Sequence, residues 1–425
     1  MKIMLLKRTK LFLAILFNGF LFSGLAQETL EVTAIQQLDL FGIEDIYRQI
    51  NIEISSDFPG GNVVVYKIYA DTVWLKPDLS FTETNWFYWY FKVTGISGKT
   101  ITFRFEQDNV FAKYGPAYSI NNDNTWKWYG ENRVINNSFS YSFSEQDTVA
   151  FFSLAFPYTE KDLYKFISTL NNKELLKIDT LCFTPQNRVV EKITIPAYKN
   201  KPKSKILITA RHHACEMMAS YVVEGIIDCI LNDRNLEYLK ENMKVIVIPF
   251  MDKDGVENGE QGKNRVPRDH NRDYDDNSIH SSVVALKKFV SERNDDKLKF
   301  ALDIHCPGLR GDYGNMIYLA GSSNKEIEKN QIIFSELLEK NSSGELKCFH
   351  KAFIPYGTSW NIAQNYIRGM SFGQWTSSLK GISFSGAIEI PYANVSGAMV
   401  TKDNARVFGR SVALTINEFF KVKNL

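Results

Sequence analysis

The sequence lacks several features that would assign it to a specialised class of protein. Its 50 Lys and Arg residues are balanced by 48 Asp and Glu, and no run of basic residues stands out, so a nucleic-acid partner is not expected. After residue 26, no apolar stretch reaches the roughly 18 residues that a transmembrane helix needs, and no internal repeat is visible. With 44% hydrophobic residues and a formal net charge of +2, the 425-residue chain has the composition of an ordinary globular protein with room for two domains.

Cysteine is scarce, and its spacing includes no C-x-x-C pair. An odd number of cysteines leaves at least one thiol unpaired. The five cysteines are Cys182, Cys215, Cys229, Cys306 and Cys348.

Residues 1–26 have the pattern of a secretory signal peptide. Basic residues precede a largely apolar stretch from Leu11 to Phe22, and Gly24-Leu25-Ala26 resembles a cleavage site. No cysteine lies at that point, which argues against a lipid anchor. We therefore expect an exported protein, periplasmic or secreted, without a transmembrane segment in the mature chain.

Residues 27–157 are predicted to form an antiparallel β-sandwich domain. Short β-rich runs such as NVVVYKIYA and KTITFRFE alternate with Gly, Asn and Asp clusters, and helical periodicity is almost absent. The residues from Trp86 to Phe91 are all aromatic, so aromatic side chains must emerge on both faces of that strand. We expect one face to fill the core and the other to pack on the next domain. An exposed aromatic platform is the alternative.

Residues 158–425 predict an α/β domain with a mixed, mostly parallel sheet and helices on both faces. Apolar runs such as KILITAR, KVIVIPF, KFALDIH and GAIEIPY alternate with amphipathic helical patterns. Thr159 and Asp162 resemble a capping box that opens a helix between the two domains. In sheets of this kind, ligands bind at the carboxyl ends of the strands.

Candidate metal ligands lie at these strand ends. His213 and Glu216 follow one strand at H-x-x-E spacing, and His305 ends another. Two imidazoles and one carboxylate can hold a catalytic zinc ion and leave a fourth position open for water. Glu389 lies in the run SGAIEIPYA and is expected at the same edge. We predict one Zn²⁺ per chain, and we expect His212 to be structural.

Two cysteines lie beside these proposed ligands. Cys215 precedes Glu216, and Cys306 follows His305. A zinc-thiolate site is therefore an alternative. We favour a structural role for both thiols, because adjacent residues on a strand point to opposite faces and a buried free Cys commonly packs as a small hydrophobic side chain.

A polar loop from Ile248 to Asp276 is the second unusual stretch. Arg265, Arg268 and Arg272 lie close together in it, and a guanidinium can grip a carboxylate or stabilise a developing oxyanion. The alternative is a solvated network in which these arginines pair with the neighbouring Asp residues. Composition alone does not decide between the two.

Five motifs in order resemble the signatures of the M14 family of zinc metallocarboxypeptidases. They are ARHHACE, MDKDGV, DHNRDY, LDIH and IEIPYA. The corresponding family signatures are H-x-x-E, N-P-D-G, D-L-N-R, D-x-H and a strand-borne Glu. The match covers roughly Leu163 to the C-terminus. The aromatic region before it, with NWFYWYF and FPYTEKDL, resembles the N-terminal domain of the cytosolic-carboxypeptidase branch.

The resemblance implies an activity and a role for each matching residue. Glu389 falls on the general base that activates the zinc-bound water, and Asn271 and Arg272 fall on the pair that grips the C-terminal carboxylate of the substrate. We therefore expect a zinc-dependent carboxypeptidase that hydrolyses the C-terminal bond of peptides or proteins. The residues that fall on the zinc ligands are His213, Glu216 and His305.

Two departures from the family pattern affect the expected site. Asp252-Lys253-Asp254-Gly255 stands where N-P-D-G is usual. A further arginine of the cytosolic branch falls on Gly262 in an ungapped register. Arg265, three residues later, is our candidate for the arginine that stabilises the oxyanion.

The specificity pocket is expected in the segment YIRGMSFGQWTSSLKGISFS. Arg368 and Lys380 would make a basic pocket that favours acidic C-terminal residues, whereas Phe372 and Trp375 would favour apolar ones. The sequence does not decide between these pockets. Tyr366 lies at a suitable distance before Glu389 to be a catalytic tyrosine, but the sequence does not assign that role.

Two further functions are kept as alternatives. An exported hydrolase of this type would meet cell-wall peptides, so a zinc amidase or carboxypeptidase acting on murein is one. The other is a catalytically inactive binding protein, which the intact set of proposed catalytic residues argues against. The sequence predicts nothing about the oligomeric state.

Overall fold

The computed structural model describes residues 51–121, 125–199, 202–292, 296–311 and 313–425. The predicted signal peptide and the start of the predicted sandwich lie outside the described residues. Residues 52–67 and 72–425 form one compact unit, while Asn51 and Ile68–Asp71 belong to a second. Within the described ranges, no helix is both long enough and apolar enough to cross a membrane.

The N-terminal region is built from short strands. They are β1 (Glu53–Ser55), β2 (Val64–Tyr69), β3 (Thr72–Lys76), β4 (Tyr90–Thr94), β5 (Thr100–Phe105), β6 (Ala117–Ile120), β7 (Lys127–Trp128), β8 (Ser138–Ser142) and β9 (Val149–Ser153). One sheet has the order β1-β4-β9-β6-β7 with antiparallel pairs, and a second contains β3, β5 and β8 in that order. β3 and β5 pair in parallel, which differs from the predicted antiparallel arrangement. The reason is that β4, the strand between them, belongs to the other sheet.

Aromatic side chains join the two sheets. The ring centroid of Phe103 on β5 lies 5.3 Å from that of Phe91 on β4 and 5.1 Å from that of Phe152 on β9, and all three rings are buried. Trp89 donates a hydrogen bond from Nε1 to the carbonyl oxygen of Val110 at 2.7 Å. The buried indole is thus satisfied, and the two sheets share one aromatic core.

The aromatic run before β4 also packs against the second half of the chain. Oε1 of Gln261 accepts hydrogen bonds from the backbone N–H groups of Phe87 and Tyr88, at 3.2 and 2.9 Å. The ring of Phe87 lies 5.5 Å from that of Tyr392. These contacts match the packing that we expected, rather than an exposed platform.

The second half of the chain contains a seven-stranded sheet. Its strands are β10 (Lys177–Phe183), β11 (Val189–Ile195), β12 (Ser204–Ala210), β13 (Met243–Ile248), β14 (Leu298–His305), β15 (Tyr318–Leu319) and β16 (Phe384–Glu389), and a hairpin of β17 (Asn394–Val395) and β18 (Ala398–Met399) follows. The order is β10-β11-β13-β12-β14-β16-β15. The four strands β13, β12, β14 and β16 are mutually parallel, and the other three pairs are antiparallel. The sheet is therefore mixed, as predicted, and five of its seven strands run in one direction.

Helices cover both faces of this sheet. They are α1 (Glu160–Thr169), α2 (Met217–Asn232), α3 (Glu237–Asn242), α4 (Lys253–Asn258), α5 (Ser281–Ser291), α6 (Lys325–Asn341), α7 (Phe372–Ser377) and α8 (Lys402–Lys423). On one face, Phe300 of β14 packs against Phe334 of α6 and Phe419 of α8, with ring centroids 5.5 and 5.8 Å apart. On the other, Ala301 belongs to a buried cluster with Leu286 of α5. Neighbouring residues on one strand thus face opposite helical layers.

The predicted capping box is present at the start of α1. Thr159 and Asp162 exchange backbone and side-chain hydrogen bonds there. α1 follows β9, which ends at Ser153. The domain boundary at residues 157 and 158 falls in this connection and stays a prediction.

Candidate metal centre and substrate cavity

The carboxyl ends of three parallel strands meet at one edge of the sheet. His305, the last residue of β14, is the register partner of Glu389, the last residue of β16. β12 ends on the other side of β14, where Ala210 pairs with Ile304. Arg211 then has a φ of 58°, a left-handed conformation that turns the chain sharply toward the start of α2. This topology brings residues that are distant in sequence to one point.

The structure brings the three predicted metal ligands together. Nδ1 of His213 lies 2.8 Å from Oε1 of Glu216, and Nδ1 of His305 lies 2.8 Å from Oε2 of the same carboxylate. Each of these residues offers one ligand atom within 4.8 Å of the others. Two imidazole nitrogens and a carboxylate converging in this way are a suitable donor set for zinc.

The outward-facing ring nitrogens of both histidines meet carboxylates. Nε2 of His213 lies 3.2 Å from Oδ2 of Asp269, and Nε2 of His305 lies 2.5 Å from Oδ2 of Asp303. A carboxylate in this position fixes the ring orientation and the tautomer of a metal-binding histidine. The Nδ1 atoms are thereby left to face the metal position.

The contacts of His212 support the structural role that we expected. Its Nδ1 contacts Asp303, and its Nε2 lies 2.8 Å from the hydroxyl of Tyr274, so both ring nitrogens are engaged and the ring is fully buried. Although His212, Asp303 and His305 form a second group with converging ligand atoms, Asp303 also accepts a hydrogen bond from Thr209. We conclude that His212 holds Asp303 in place behind His305.

The thiols beside these ligands have other surroundings. All five cysteines are free, and the metal-type clusters in the described part of the chain include none of them. Sγ of Cys215 lies 3.0 Å from Nε2 of Gln261 and 3.4 Å from the hydroxyl of Tyr392. The zinc-thiolate alternative therefore has no geometric support.

The electrostatics of the cluster favour a cation. Burial would lower the pKa of His305, but the carboxylates of Asp303 and Glu216 outweigh burial and raise that pKa well above the ordinary value. Burial would raise the pKa of Glu216, but Lys263 and the two histidines hold it well below its usual range. Buried carboxylates that stay ionised concentrate negative charge here, which suits a bound dication.

Glu389 has the properties of a general base on a half-buried side chain. Burial raises the pKa of its carboxyl group above the ordinary value, although His305 and Lys263 act in the opposite direction. Its Oε2 atom is buried and has no hydrogen-bond partner in the described structure. An unsatisfied carboxylate oxygen next to the metal position is available to a water molecule or a substrate proton.

Lys263 is a site residue that the sequence reasoning missed. Its Nζ lies 2.5 Å from Oε1 of Glu216 and 2.8 Å from the carbonyl oxygen of Cys306. Gly262 precedes it with a φ of +80°, and a Cβ there would lie 2.3 Å from the backbone nitrogen of Ala214. The ungapped position therefore cannot carry a side chain without a clash. In the sequence, the signal that could have identified Lys263 is its position, as a cationic residue directly after Gly262.

Arg265 does not line the cavity at the metal position. Its guanidinium forms ion pairs with Asp252 and Glu260 beside the start of α4. Two largely buried carboxylates thus already engage it, and neither is among the aspartates after Arg268 that the solvated-network alternative assigned to these arginines. Arg268 pairs in the same way with Asp273 and Asp275.

Arg272 and Asn271 do reach the cavity. Arg272 donates to the carbonyl oxygens of Asn365 and Asn271, at 3.1 and 2.7 Å, and its guanidinium lies 5.1 Å from the ring centroid of Tyr366. No carboxylate of the described residues lies within ion-pair distance of it. Nδ2 of Asn271 lies 3.2 Å from Nε2 of His305. Arg272 is thus a positioned cation beside the predicted metal site.

One cavity of about 340 Å³ contains these groups. His213, His305, Glu389 and Arg272 line it together with Tyr366. The hydroxyl of Tyr366 donates to Oδ1 of Asn361 at 2.8 Å.

The residues that we considered for specificity lie outside this cavity. Arg368 and Lys380 are exposed and pair with Glu83 and Asp296. Phe372 and Trp375 pack in the hydrophobic core instead of lining the cavity. Among the described residues, neither pocket forms in the cavity at the predicted metal site, although Arg368 lines a second cavity with other arginines.

Comparison with known proteins agrees with this geometry. Residues 163–299 match the family model Peptidase_M14, zinc carboxypeptidase. The chain is 26% identical over 262 residues to cytosolic carboxypeptidase 6 of Mus musculus, which covers 56% of this chain and 45% of that protein. It is 31% identical over 118 residues to cytosolic carboxypeptidase 3 of Bos taurus, or 26% of this chain and 12% of that protein. The chain therefore resembles the zinc carboxypeptidases of the M14 family over residues 163–299. It spans less than half the length of the curated relatives it matches.

Solved structures share the fold of the carboxypeptidase domain and of the preceding sheets. A metallo-carboxypeptidase from Burkholderia cenocepacia superposes with a TM-score of 0.69 at 17% identity, covering 88% of this chain and 99% of that one. A metallo-carboxypeptidase from Pseudomonas aeruginosa in complex with (2-guanidinoethylmercapto)succinic acid superposes with a TM-score of 0.65 at 17% identity, covering 87% and 99%. The family model ends before His305 and Glu389, and this shared fold extends past its end.

The prediction of an exported protein is wrong. The curated relatives of the carboxypeptidase domain are named cytosolic carboxypeptidases, which points to a cytosolic and not a periplasmic or secreted protein. The export prediction relied on basic and apolar residues within 1–26, and these lie outside the described residues. Its support was a short apolar stretch after basic residues and the cleavage-like Gly24-Leu25-Ala26.

Proposed function

We propose that the protein is a zinc-dependent carboxypeptidase that removes single residues from the C-termini of peptides or proteins. One observation carries the proposal. Within the described residues, a converging ligand set, a half-buried carboxylate with an unpartnered oxygen and a cation without a carboxylate partner meet at the same cavity. The first can bind zinc, the second can transfer a proton, and the third can bind the C-terminal carboxylate of the substrate.

The donor set fits a zinc ion. Nδ1 of His213, Nδ1 of His305 and the carboxylate of Glu216 provide two nitrogens and one oxygen, and three protein ligands are usual for catalytic zinc. When bound, zinc lowers the pKa of a coordinated water toward about 7 and polarises the scissile carbonyl. Asp269 and Asp303 keep the two rings in the orientation that this ligation needs.

Glu389 is placed to move protons. Its carboxylate sits across the β14–β16 register from His305, and its Oε2 has no competing partner. It accepts a proton from the attacking water and passes that proton to the leaving amine. A pKa raised by burial makes the carboxylate a stronger base than an exposed glutamate.

Lys263, and not the sequence candidate Arg265, stabilises the oxyanion. Burial lowers its pKa, but the negative charge of Glu216 outweighs burial and raises it, so the ammonium stays charged. A fixed cation near the metal ligands stabilises negative charge that develops on the carbonyl oxygen of the substrate. Arg265 is already bound by two carboxylates and cannot reach that oxygen without giving them up.

Arg272 makes the enzyme an exopeptidase. Its guanidinium is fixed by two backbone carbonyls and by the ring of Tyr366. A guanidinium can bind a carboxylate through two parallel hydrogen bonds. Asn271, next to it in the cavity, offers an amide to the same terminal group.

The test is the release of single C-terminal residues from peptides. Peptides with a free C-terminus should lose one residue at a time, whereas the same peptides with a C-terminal amide should resist. Chelation should stop the release, and zinc should restore it. Internal cleavage, or equal cleavage of acid and amide, would contradict the proposal. A binding protein without catalysis would release nothing from either peptide.

A further inference from the structure

The cavity has a charged part and a neutral part. Its charged lining residues belong to the site described above. The described residues that line the rest are uncharged, and those used below are Ser322, Gln331, Gly373, Gln374, Ser385 and Ala387. The inference drawn from this lining rests on the proposed function.

The neutral part of the cavity extends along strand β16, away from Glu389. Side chains alternate along a strand, so Ser385, Ala387 and Glu389 share one face. At about 3.3 Å per residue, Ser385 lies roughly 13 Å from Glu389 along the strand. β15 pairs with β16 at Ile388 and Glu389, so its register stops short of Ala387. The cavity lining follows β16 from Glu389 past Ala387 to Ser385, and we call this part of the cavity the recess.

Two side-chain amides with spare hydrogen-bonding capacity line the recess. Gln331 donates from Nε2 to the carbonyl oxygen of Ser385 at 2.6 Å, and its Oε1 accepts from the backbone N–H of Ser322 at 2.8 Å. Gln374 accepts from the backbone N–H of Ser371 through Oε1 at 2.9 Å. A primary amide has two donors and two lone pairs, so each glutamine keeps at least one donor and one lone pair for a ligand.

Ionised groups near the recess are already neutralised. Glu328 of α6 accepts from the backbone N–H of Tyr356 through Oε1 at 2.7 Å, and its Oε2 pairs with Lys325 at 2.9 Å. Asp303 is engaged by His212 and His305. In the described part of the chain, a charged side chain that entered the recess beyond Glu389 and Arg272 would lose its hydration without meeting a further unpaired opposite charge, which is costly.

We infer that the recess beside β16 selects a neutral, polar C-terminal residue, with an amide side chain such as glutamine as the best fit. Its amide would meet the amides of Gln331 and Gln374, and no desolvated charge would result. Glutamate and lysine fill a similar volume but carry a charge. Their release should be slower than that of glutamine by about tenfold or more in kcat/KM.

Gly373 allows this selectivity to be changed without filling the core. It lies near the start of α7, its carbonyl oxygen accepts a hydrogen bond from Oγ of Ser385 at 2.8 Å, and a Cβ at this position would meet no atom within 4 Å. Gly373→Asp would therefore place a carboxylate at the recess. Gly373→Asn is the matched neutral control, and Gly373→Lys is the opposite charge.

The experiment compares four peptides that differ in their last residue, which is Gln, Leu, Glu or Lys. Hydrolysis is followed with the zinc-loaded protein, and binding of the same peptides to the Glu389→Gln variant is measured by isothermal titration calorimetry. We expect Gln to be preferred in both assays. Gly373→Asp should raise the ratio of Lys to Glu by about tenfold or more, and Gly373→Lys should lower it, because a buried charge favours its opposite. Gly373→Asn should keep the order of preference among the four peptides that the unsubstituted protein shows.

Each outcome supports or overturns the inference separately from the proposed function. The inference is overturned if the Glu or Lys peptide is hydrolysed or bound as well as the Gln peptide or better. It is also overturned if Gly373→Asp has the same Lys-to-Glu ratio as Gly373→Asn. Selective binding of the Gln peptide without hydrolysis supports the inference and sinks the proposed function. Loss of binding for all four peptides sinks both.

Discussion

Lys263 directs its Nζ to Oε1 of Glu216 at 2.5 Å, so a lysine contacts a residue that is also a predicted metal ligand. The ammonium is also 2.8 Å from the carbonyl oxygen of Cys306 and 5.8 Å from the ring centroid of Trp86. Trp86 comes from the N-terminal region and lines the same cavity. The lysine is thus enclosed by a carboxylate, a backbone carbonyl and an aromatic ring, and its position is well defined.

We expect Lys263→Met to lower kcat/KM by about a hundredfold to a thousandfold, mainly through kcat, because it removes a fixed charge that acts in the transition state. Lys263→Arg keeps the charge and is the matched control, and it should retain more activity. The zinc content of each variant should be measured alongside. A Met variant with full zinc and unchanged kcat would contradict the role of Lys263.

Asp303→Asn should weaken zinc binding by about tenfold to a hundredfold, because Asp303 orients His305 from behind. The affinity can be measured by competition with a chromophoric chelator. Asp254→Asn is a suitable control, since Asp254 pairs with Arg188 away from the metal position. Equal zinc affinity of the two variants would show that Asp303 does not orient the ligand.

Arg272→Met should raise KM for peptides with a free C-terminus by about tenfold or more, since a charged hydrogen-bonded pair with the substrate carboxylate is lost. Arg268→Met removes a neighbouring arginine that already pairs with Asp273 and Asp275, and it should leave KM unchanged. Steady-state kinetics with acid and amide peptides measure the KM of both variants. If Arg272→Met still prefers the acid as strongly as the unsubstituted protein does, another group binds the carboxylate.

His270 should make stability depend on pH. Burial lowers its pKa well below the ordinary value, and the neighbouring His280 and Arg265 add to this effect, although Asp269 opposes it. His270 stacks on His280 with ring centroids 3.5 Å apart, and its Nε2 lies 3.7 Å from Oδ1 of Asp252. In the unfolded chain the histidine takes up a proton below a pH of about 6.5. The unfolded state then binds more protons, so the free energy of unfolding falls as the pH falls through that value.

The slope from His270 can reach about 1.4 kcal/mol per pH unit. Urea unfolding of the zinc-loaded protein at several pH values between 5.5 and 7.5 measures it. His270→Gln should reduce the loss of stability at low pH, whereas His350→Gln, in another part of the chain, serves as the control. An identical pH dependence of the His270 variant and the unsubstituted protein would show that this buried histidine does not contribute.

The parts of the site that could be predicted are those in which local spacing and strand ends agree. The H-x-x-E spacing and the end of a strand at His305 were enough to place His213, Glu216 and His305 together. Parallel strands then bring Glu389 opposite His305, because the carboxyl ends of such strands share one edge.

The parts that could not be predicted depend on long-range contacts. The choice between Lys263 and Arg265 follows from how Gly262 packs against the backbone at Ala214, and no local pattern shows that contact. The parallel pairing of β3 with β5 arises because β4, the strand between them in sequence, joins the other sheet. The neutral recess depends on Gln331 of α6 reaching the carbonyl oxygen of Ser385, although the two residues are 54 positions apart.

The most direct test of the account compares the zinc-loaded protein with its Glu389→Gln variant on a mixed pool of peptides, followed by mass spectrometry and by zinc analysis of both proteins. We predict the stepwise loss of single C-terminal residues with the unsubstituted protein. The variant should show none of this loss while holding the same amount of zinc, because the proposed role of Glu389 is that of a base and not of a ligand. An unchanged pool with the unsubstituted protein, or equal release by the variant, would contradict the account.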